Sequence, residues 1–120
     1  DLTIVTYGMG VHWAKEIMER MPQHKADIID LRTLLPWDKD AVRQSVKKTS
    51  RVLVCHEDCL TGGIAGEISA WIAEHCFEYL DAPVMREGSL DTPVPFAKNL
   101  EQNFLPKQRI EDKIKLLMDY

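Results

Sequence analysis

The sequence has too few cysteines for a disulfide framework, no apolar run long enough for a membrane span, and no excess of positive charge. Its cysteines are three, Cys55, Cys59 and Cys76. An odd count without a secretory signal points to a reducing compartment. A membrane-spanning helix needs roughly 20 consecutive apolar residues, and no stretch approaches that length. Fifteen Lys and Arg against nineteen Asp and Glu leave a formal net charge of −4, and no Lys/Arg cluster reads as a basic patch. Neither nucleic acid nor a membrane is therefore expected as a partner. Internal repeats, low-complexity tracts and linkers are also missing. The chain does not open on Met but enters at once the strand-like run Leu2-Thr3-Ile4-Val5-Thr6-Tyr7. The expectation is a single domain, residues 1–120, excised from a longer chain.

At 120 residues, 45% hydrophobic and 28% charged, the chain can bury a real core without metal or disulfide help. Four runs rich in Val, Ile or Leu predict strands: Leu2 to Tyr7, Ala26 to Leu31, Arg51 to Cys55 and Pro83 to Arg86. Their nearly continuous hydrophobicity suits strands covered on both faces. Between them lie crossover helices, predicted over Val11 to Met21, Asp38 to Thr49 and Ile64 to Leu80. In the third, Ile64, Ile68, Trp71, Ile72, Cys76 and Tyr79 follow helical spacing, and Ile110, Ile114, Leu117 and Met118 predict a final helix. Alternating strands and helices imply parallel strands with right-handed crossovers. The fold class is α/β, a three-layer α/β/α sandwich with a mostly parallel sheet. Gly88 to Phe104, with Pro93 and Pro95, shows no sustained periodicity and reads as a long loop.

Three constellations carry candidate chemistry. Gly8-Met9-Gly10 after the first strand, with Asp30 twenty residues on, outlines a dinucleotide fingerprint. The third glycine position is Trp13, which would obstruct the helix–strand packing that the motif needs. Cys55-His56-Glu57-Asp58-Cys59 gathers metal-capable side chains, but the second ligand pair would have to be His75 and Cys76. Neighbouring helical residues point about 100° apart, a poor match to one tetrahedral ion, so no metal is expected. His56 and Glu57, adjacent on an extended segment, face opposite ways and do not form a proton-transfer pair. Thr61-Gly62-Gly63 precedes the third helix, where Thr61 can serve as its cap. If strand order is the usual doubly wound one, this turn and Gly8–Gly10 flank one switch point. They could then cradle an anion between Gly8, Gly10, Thr61, Gly62 and Gly63, or serve only as helix starts. No nucleophile stands beside a base, and no catalytic residue is assigned.

A succession of motifs resembles a known family. His56-Glu57 and Leu60-Thr61-Gly62-Gly63 are followed by Ala65-Gly66-Glu67-Ile68, Cys76-Phe77, Leu80-Asp81-Ala82-Pro83, Arg86, Asp91-Thr92-Pro93 and Pro95. Earlier come Leu2 to Gly8, Asp30-Leu31-Arg32-Thr33-Leu34 and Pro36-Trp37-Asp38. Later come Ala97-Lys98-Asn99-Leu100-Glu101 and Leu105-Pro106. Together they resemble the C-terminal domain of the beta subunit of 2-oxoacid dehydrogenases, within the transketolase C-terminal fold. His56-Glu57, Leu60 to Gly63 and Asp91-Thr92-Pro93 lean toward the branched-chain type; the pyruvate type or another transketolase-like enzyme is the alternative.

The resemblance implies an enzyme dependent on thiamine diphosphate and Mg, both bound outside this domain, so that the isolated domain is inactive. It implies a cytoplasmic (bacterial) or mitochondrial-matrix setting and beta–beta dimerisation. It also implies docking to the peripheral subunit-binding domain of the dihydrolipoyl acyltransferase through Asp81 and the chain end at Tyr120. Basic partner groups would meet their carboxylates as charge-assisted pairs. Family domains usually carry a further strand ahead of Leu2, so an unpaired sheet edge is expected here. Two other readings stay open: a stand-alone nucleotide- or anion-binding module using the Gly8 and Gly62 turns, and an interaction domain dimerising through the Gly88–Phe104 loop, which changes at Phe96 and Leu100 would disrupt.

Overall fold

The computed structural model describes residues 1–120. The elements run β1 (Leu2–Thr6), α1 (Met9–Arg20), β2 (Ala26–Asp30), α2 (Lys39–Thr49), β3 (Val52–Cys59), α3 (Ala65–His75), β4 (Met85–Ser89), α4 (Lys98–Phe104) and α5 (Lys107–Met118). The strands form one sheet in the order β2-β1-β3-β4, and every pairing is parallel. β1 lies inside the sheet with all five residues buried, which explains its unbroken hydrophobicity. The outer strands are β2 and β4, and every β2 residue is only half-buried.

Side chains alternate across the sheet with the period of two that strands impose. Leu2, Ile4, Leu53 and Cys55 meet Trp13, Ala14 and Ile17 of α1 and Ile110, Ile114 and Leu117 of α5. Val5, Val52 and Val54 meet Val42 and Val46 of α2 and Ile68 and Ile72 of α3. Each fully buried side chain of this kind stabilises the fold by about 1.5–3 kcal/mol. These are the two outer layers of an α/β/α sandwich, as expected. Thr3 and Thr6 are the buried polar residues of β1, and Thr3 is fully bonded. The Thr3 hydroxyl bonds Ser45 at 2.6 Å and Thr49 at 2.7 Å, so α2 is pinned to the sheet by a satisfied buried network. Asp38 starts α2 as anticipated, its carboxylate accepting from the Ala41 N–H at 2.9 Å.

Several boundaries differ from the reading of the sequence. β3 continues through His56 to Cys59, with a register shift against β4 between Cys55 and Cys59. α3 stops at His75, and one tighter turn, Phe77–Tyr79, follows it. β4 begins at Met85, two residues after Pro83, which has no N–H for a ladder. The Gly88–Phe104 stretch is not all loop: it holds the end of β4 and the seven-residue α4, of which only Phe104 is buried. Thr61 does not cap α3. Ile64 occupies the cap position without a side-chain bond, because Thr61 is turned toward Asp91.

Candidate functional site

α3 presents four small residues, Gly66, Ser69, Ala70 and Ala73, at helical spacing along one wall of a surface groove of about 690 Å³. Beyond the end of α3 at His75, Phe77 and the Leu80-Asp81-Ala82-Pro83-Val84 segment line the groove, and Arg86 reaches it from β4, which begins at Met85. Tyr120, just beyond α5, completes the lining. Asp81 and Tyr120, the two residues expected to receive a partner, therefore share one cavity. The backbone of Asp81 is fixed, its N–H donating to the Ser50 carbonyl at 2.9 Å. Its carboxylate is free of any ion pair in the chain, as is the guanidinium of Arg86. Phe77 is 77% exposed and Tyr120 59% exposed. Exposed aromatics beside unpaired charges in an apolar groove suit recognition of another protein.

The position of Tyr120 depends on how α5 is held. Arg109 in its first turns donates to the carboxylate of the buried Glu87 at 3.1 Å, and to the carbonyls of Gly88 at 2.9 Å and Phe104 at 3.2 Å. One guanidinium thus ties α5 to β4 and to the end of α4.

The glycine turns form no shared cradle. Gly8 lines a crevice at the carboxyl ends of β1 and β2, together with Tyr7, His12, Lys15, Asp30 and Glu57. Gly10 packs so tightly that an added Cβ would collide with the Thr6 hydroxyl, which accounts for that glycine by helix–strand contact alone. Asp30 is held by Arg32 at 2.5 Å. Thr61, Gly62 and Gly63 lie outside this crevice, because β3 outruns β1 and carries their turn toward β4, where the Leu60 N–H donates to Ser89. The Thr61 N–H and hydroxyl both donate to the Asp91 carboxylate, at 2.9 and 2.5 Å. These bonds hold Asp91 below its usual pKa, and the chain's own carboxylate stands where an external anion would.

The Cys55–Cys59 segment is split by burial. Cys55 is buried and desolvation pushes its thiol up to about 12, against a smaller opposing effect of the Thr6 hydroxyl. His56 is fully buried, with Nδ1 3.0 Å from the Asp58 carbonyl, which it meets as a donor, and Nε2 unpartnered. Glu57 and Asp58 are exposed, so His56 and Glu57 face opposite ways. Burial first, and then the charges of Asp58 and Glu57, raise the Tyr7 pKa.

Residues 1–109 match the family model described as "Transketolase, C-terminal domain". The chain belongs to this family. It is 41% identical over 108 residues to the 2-oxoisovalerate dehydrogenase subunit beta of Bacillus subtilis, covering 88% of this chain and 33% of that protein. It is 47% identical over 95 residues to the mitochondrial 2-oxoisovalerate dehydrogenase subunit beta 2 of Arabidopsis thaliana, covering 78% of this chain and 26% of that protein. It is 39% identical over 117 residues to the pyruvate dehydrogenase E1 component subunit beta-1 of the same plant, covering 96% and 32%. The chain thus spans about a third of the length of the curated relatives it matches. Among solved structures, a split-gene transketolase in an inactive beta4 tetramer superposes with a TM-score of 0.74 at 24% identity, covering 99% of this chain and 38% of that one.

In this transketolase C-terminal domain, reasoning from sequence did not single out Phe77 or the small face of α3 as parts of the site, and took Arg86 only as a motif residue. The signal was present for the helix face, since Gly66, Ala70 and Ala73 recur at four and three residues. Arg86 and Tyr120 reach the groove only through the sheet order and the docking of α5, which no local pattern encodes.

Proposed function

We propose that this chain is the C-terminal domain of the beta subunit of a branched-chain 2-oxoacid dehydrogenase, and that it docks the complex's acyltransferase while performing no chemistry itself. The observation that carries the docking role is the convergence of Asp81 and Tyr120 in one groove, beside Phe77. The kinship with the 2-oxoisovalerate dehydrogenase beta subunits supports the enzyme and its substrate class. In that enzyme thiamine diphosphate supplies the carbanion chemistry that releases carbon dioxide from a 2-oxoacid. The residues here do not fit a magnesium–diphosphate site. Of the two crevice carboxylates, Asp30 is committed to Arg32 and Glu57 stands without a second ligand, and no three His, Cys, Asp or Glu side chains gather at one point. The proposal accordingly places the cofactor and its metal in the remainder of the enzyme.

The groove's part is to receive the peripheral subunit-binding domain of the dihydrolipoyl acyltransferase. A basic side chain of that domain meets the Asp81 carboxylate, and its apolar surface covers Phe77 and the α3 wall. Removing water from such a pair makes it count for more than it does on an open surface. The remaining dehydrogenase subunits and a second beta subunit are its other partners, in a bacterial cytoplasm or a mitochondrial matrix.

A pyruvate-type parent is the second reading, favoured by the pyruvate dehydrogenase relatives, which align over almost the whole chain. Two measurements on the full-length enzyme test the proposal. With 2-oxoisovalerate and pyruvate supplied separately, kcat/KM is expected to favour 2-oxoisovalerate at least tenfold. A preference for pyruvate replaces the branched-chain assignment with the second reading. Asp81→Lys is expected to weaken binding of the purified subunit-binding domain at least tenfold, the order expected when a desolvated charge pair is reversed. Unaltered binding contradicts docking at the groove.

A further inference from the structure

Two opposite charges share the groove and neither is neutralised by its own chain. Asp81 sits on the segment leaving α3, and Arg86 sits on β4. The Arg86 Nη1 lies 3.5 Å from where a Cβ on Gly66 would stand, so its guanidinium overhangs the first turn of α3. That turn is the positive end of the helix dipole, where a negative group is favoured and a cation is not. Glu67 lies in the same turn, yet no ion pair joins it to Arg86. Nearby on the same wall, the Ser69 hydroxyl is buried without a hydrogen-bond partner. The arrangement is electrostatically incomplete in the free chain, and an acidic group from outside would complete it.

We propose that Arg86 reads an acidic side chain of the docked module while Asp81 reads a basic one, so that the groove recognises a pair of opposite charges and fixes the module's orientation. This rests on the docking reading above and adds to it a second contact and its sign. The guanidinium is the right group for the task, because its planar fork can hold a carboxylate by two parallel hydrogen bonds. A module that bound the other way round would set its basic side chain against Arg86 and its acidic one against Asp81. Like charges brought together on docking penalise that alternative. Gly66 matters too: with no side chain there, a partner's carboxylate can approach both the guanidinium and the start of α3.

Isothermal titration of the purified subunit-binding domain of the acyltransferase into the assembled dehydrogenase tests this. Arg86→Gln is expected to raise Kd about fivefold and Arg86→Glu more than tenfold, as for charge pairs at protein interfaces. Arg86→Lys, which keeps the charge and loses the fork, is expected to fall between wild type and Arg86→Gln. Replacing the facing acidic residue of the module by Lys is expected to restore binding to Arg86→Glu. Thermal melts that match wild type show that the variants are folded, and the Lys and Gln variants carry the test if Arg86→Glu is not. If all three variants bind within twofold of wild type while Asp81→Lys still abolishes binding, the two-charge proposal is overturned and the docking reading stands. If Asp81→Lys also binds normally, or the wild-type enzyme does not bind the module, both fall.

Discussion

His56 shows how much one residue can dictate to its surroundings. Its imidazole is fully buried, and Nδ1 is held by the Asp58 carbonyl at 3.0 Å, so the ring cannot swing away. Gly63 stands on one side, where an added Cβ would lie 2.6 Å from Nε2 and would also strike the Cys59 carbonyl. Gly88 stands on another, where a Cβ would lie 3.1 Å from the ring and 2.8 Å from the Asp58 carbonyl. Backbone and a fixed ring cannot yield as a flexible side chain would. Gly63→Ala is therefore expected to destabilise the domain by about 2 kcal/mol or more, a cost typical of overpacking. A shift of the urea midpoint to lower concentration, with the slope retained, checks it; an unchanged midpoint would show that the ring is free to move. The Gly62-Gly63 pair was legible in the sequence, but its reason was not. It reads as an anion cradle or a helix start, whereas the ring that Gly63 accommodates belongs to the preceding strand, and Gly88 joins it from β4.

At the scale of elements, the strands and crossover helices were legible because burial on both faces leaves continuous apolar runs, and burial on one leaves helical spacing. What the pattern could not show is what depends on distant partners. β3 continues through Glu57 and Asp58 because its pairing with β4 resumes at Cys59–Ser89, although those two side chains are exposed. α4 escaped notice because seven residues with one buried side chain carry no periodic signal. The link between α4, β4 and α5 is Arg109. Deleting its guanidinium would leave the Glu87 carboxylate buried and unpaired, and the Gly88 and Phe104 carbonyls without this donor. Arg109→Ala is expected to cost about 3 kcal/mol, in line with breaking one side of a buried ion pair. In the assembled enzyme it is also expected to weaken docking, because α5 places Tyr120. Denaturation together with a binding titration checks both; a stable variant with normal docking would show that α5 is held by its apolar face alone.

For the whole molecule, the sequence carried the sandwich and the family, the latter through the ordered succession of motifs, and the same resemblance pointed to Asp81 and Tyr120, whose docking role is the proposal. It did not carry the groove itself. The groove exists because α3, the Leu80–Val84 crossing, β4 and the chain end beyond α5 meet at the β4 edge of the sheet, with α3 and α5 on its opposite faces, a consequence of the strand order β2-β1-β3-β4. Charge, burial and chemistry divide the surface accordingly. The carboxyl edge has a crevice in which Asp30 is paired with Arg32 beside an exposed Glu57, while the α3 side has a groove in which Asp81 and Arg86 are both unpaired. Hydrogen–deuterium exchange on the assembled enzyme, with and without the acyltransferase's subunit-binding domain, tests this division most directly, since amides covered by a partner exchange more slowly. Slowed exchange is expected in residues 66–86 and in the last turn of α5 leading to Tyr120. Protection confined to the carboxyl edge around Gly8, Asp30 and Glu57, with residues 66–86 unchanged, would contradict the account.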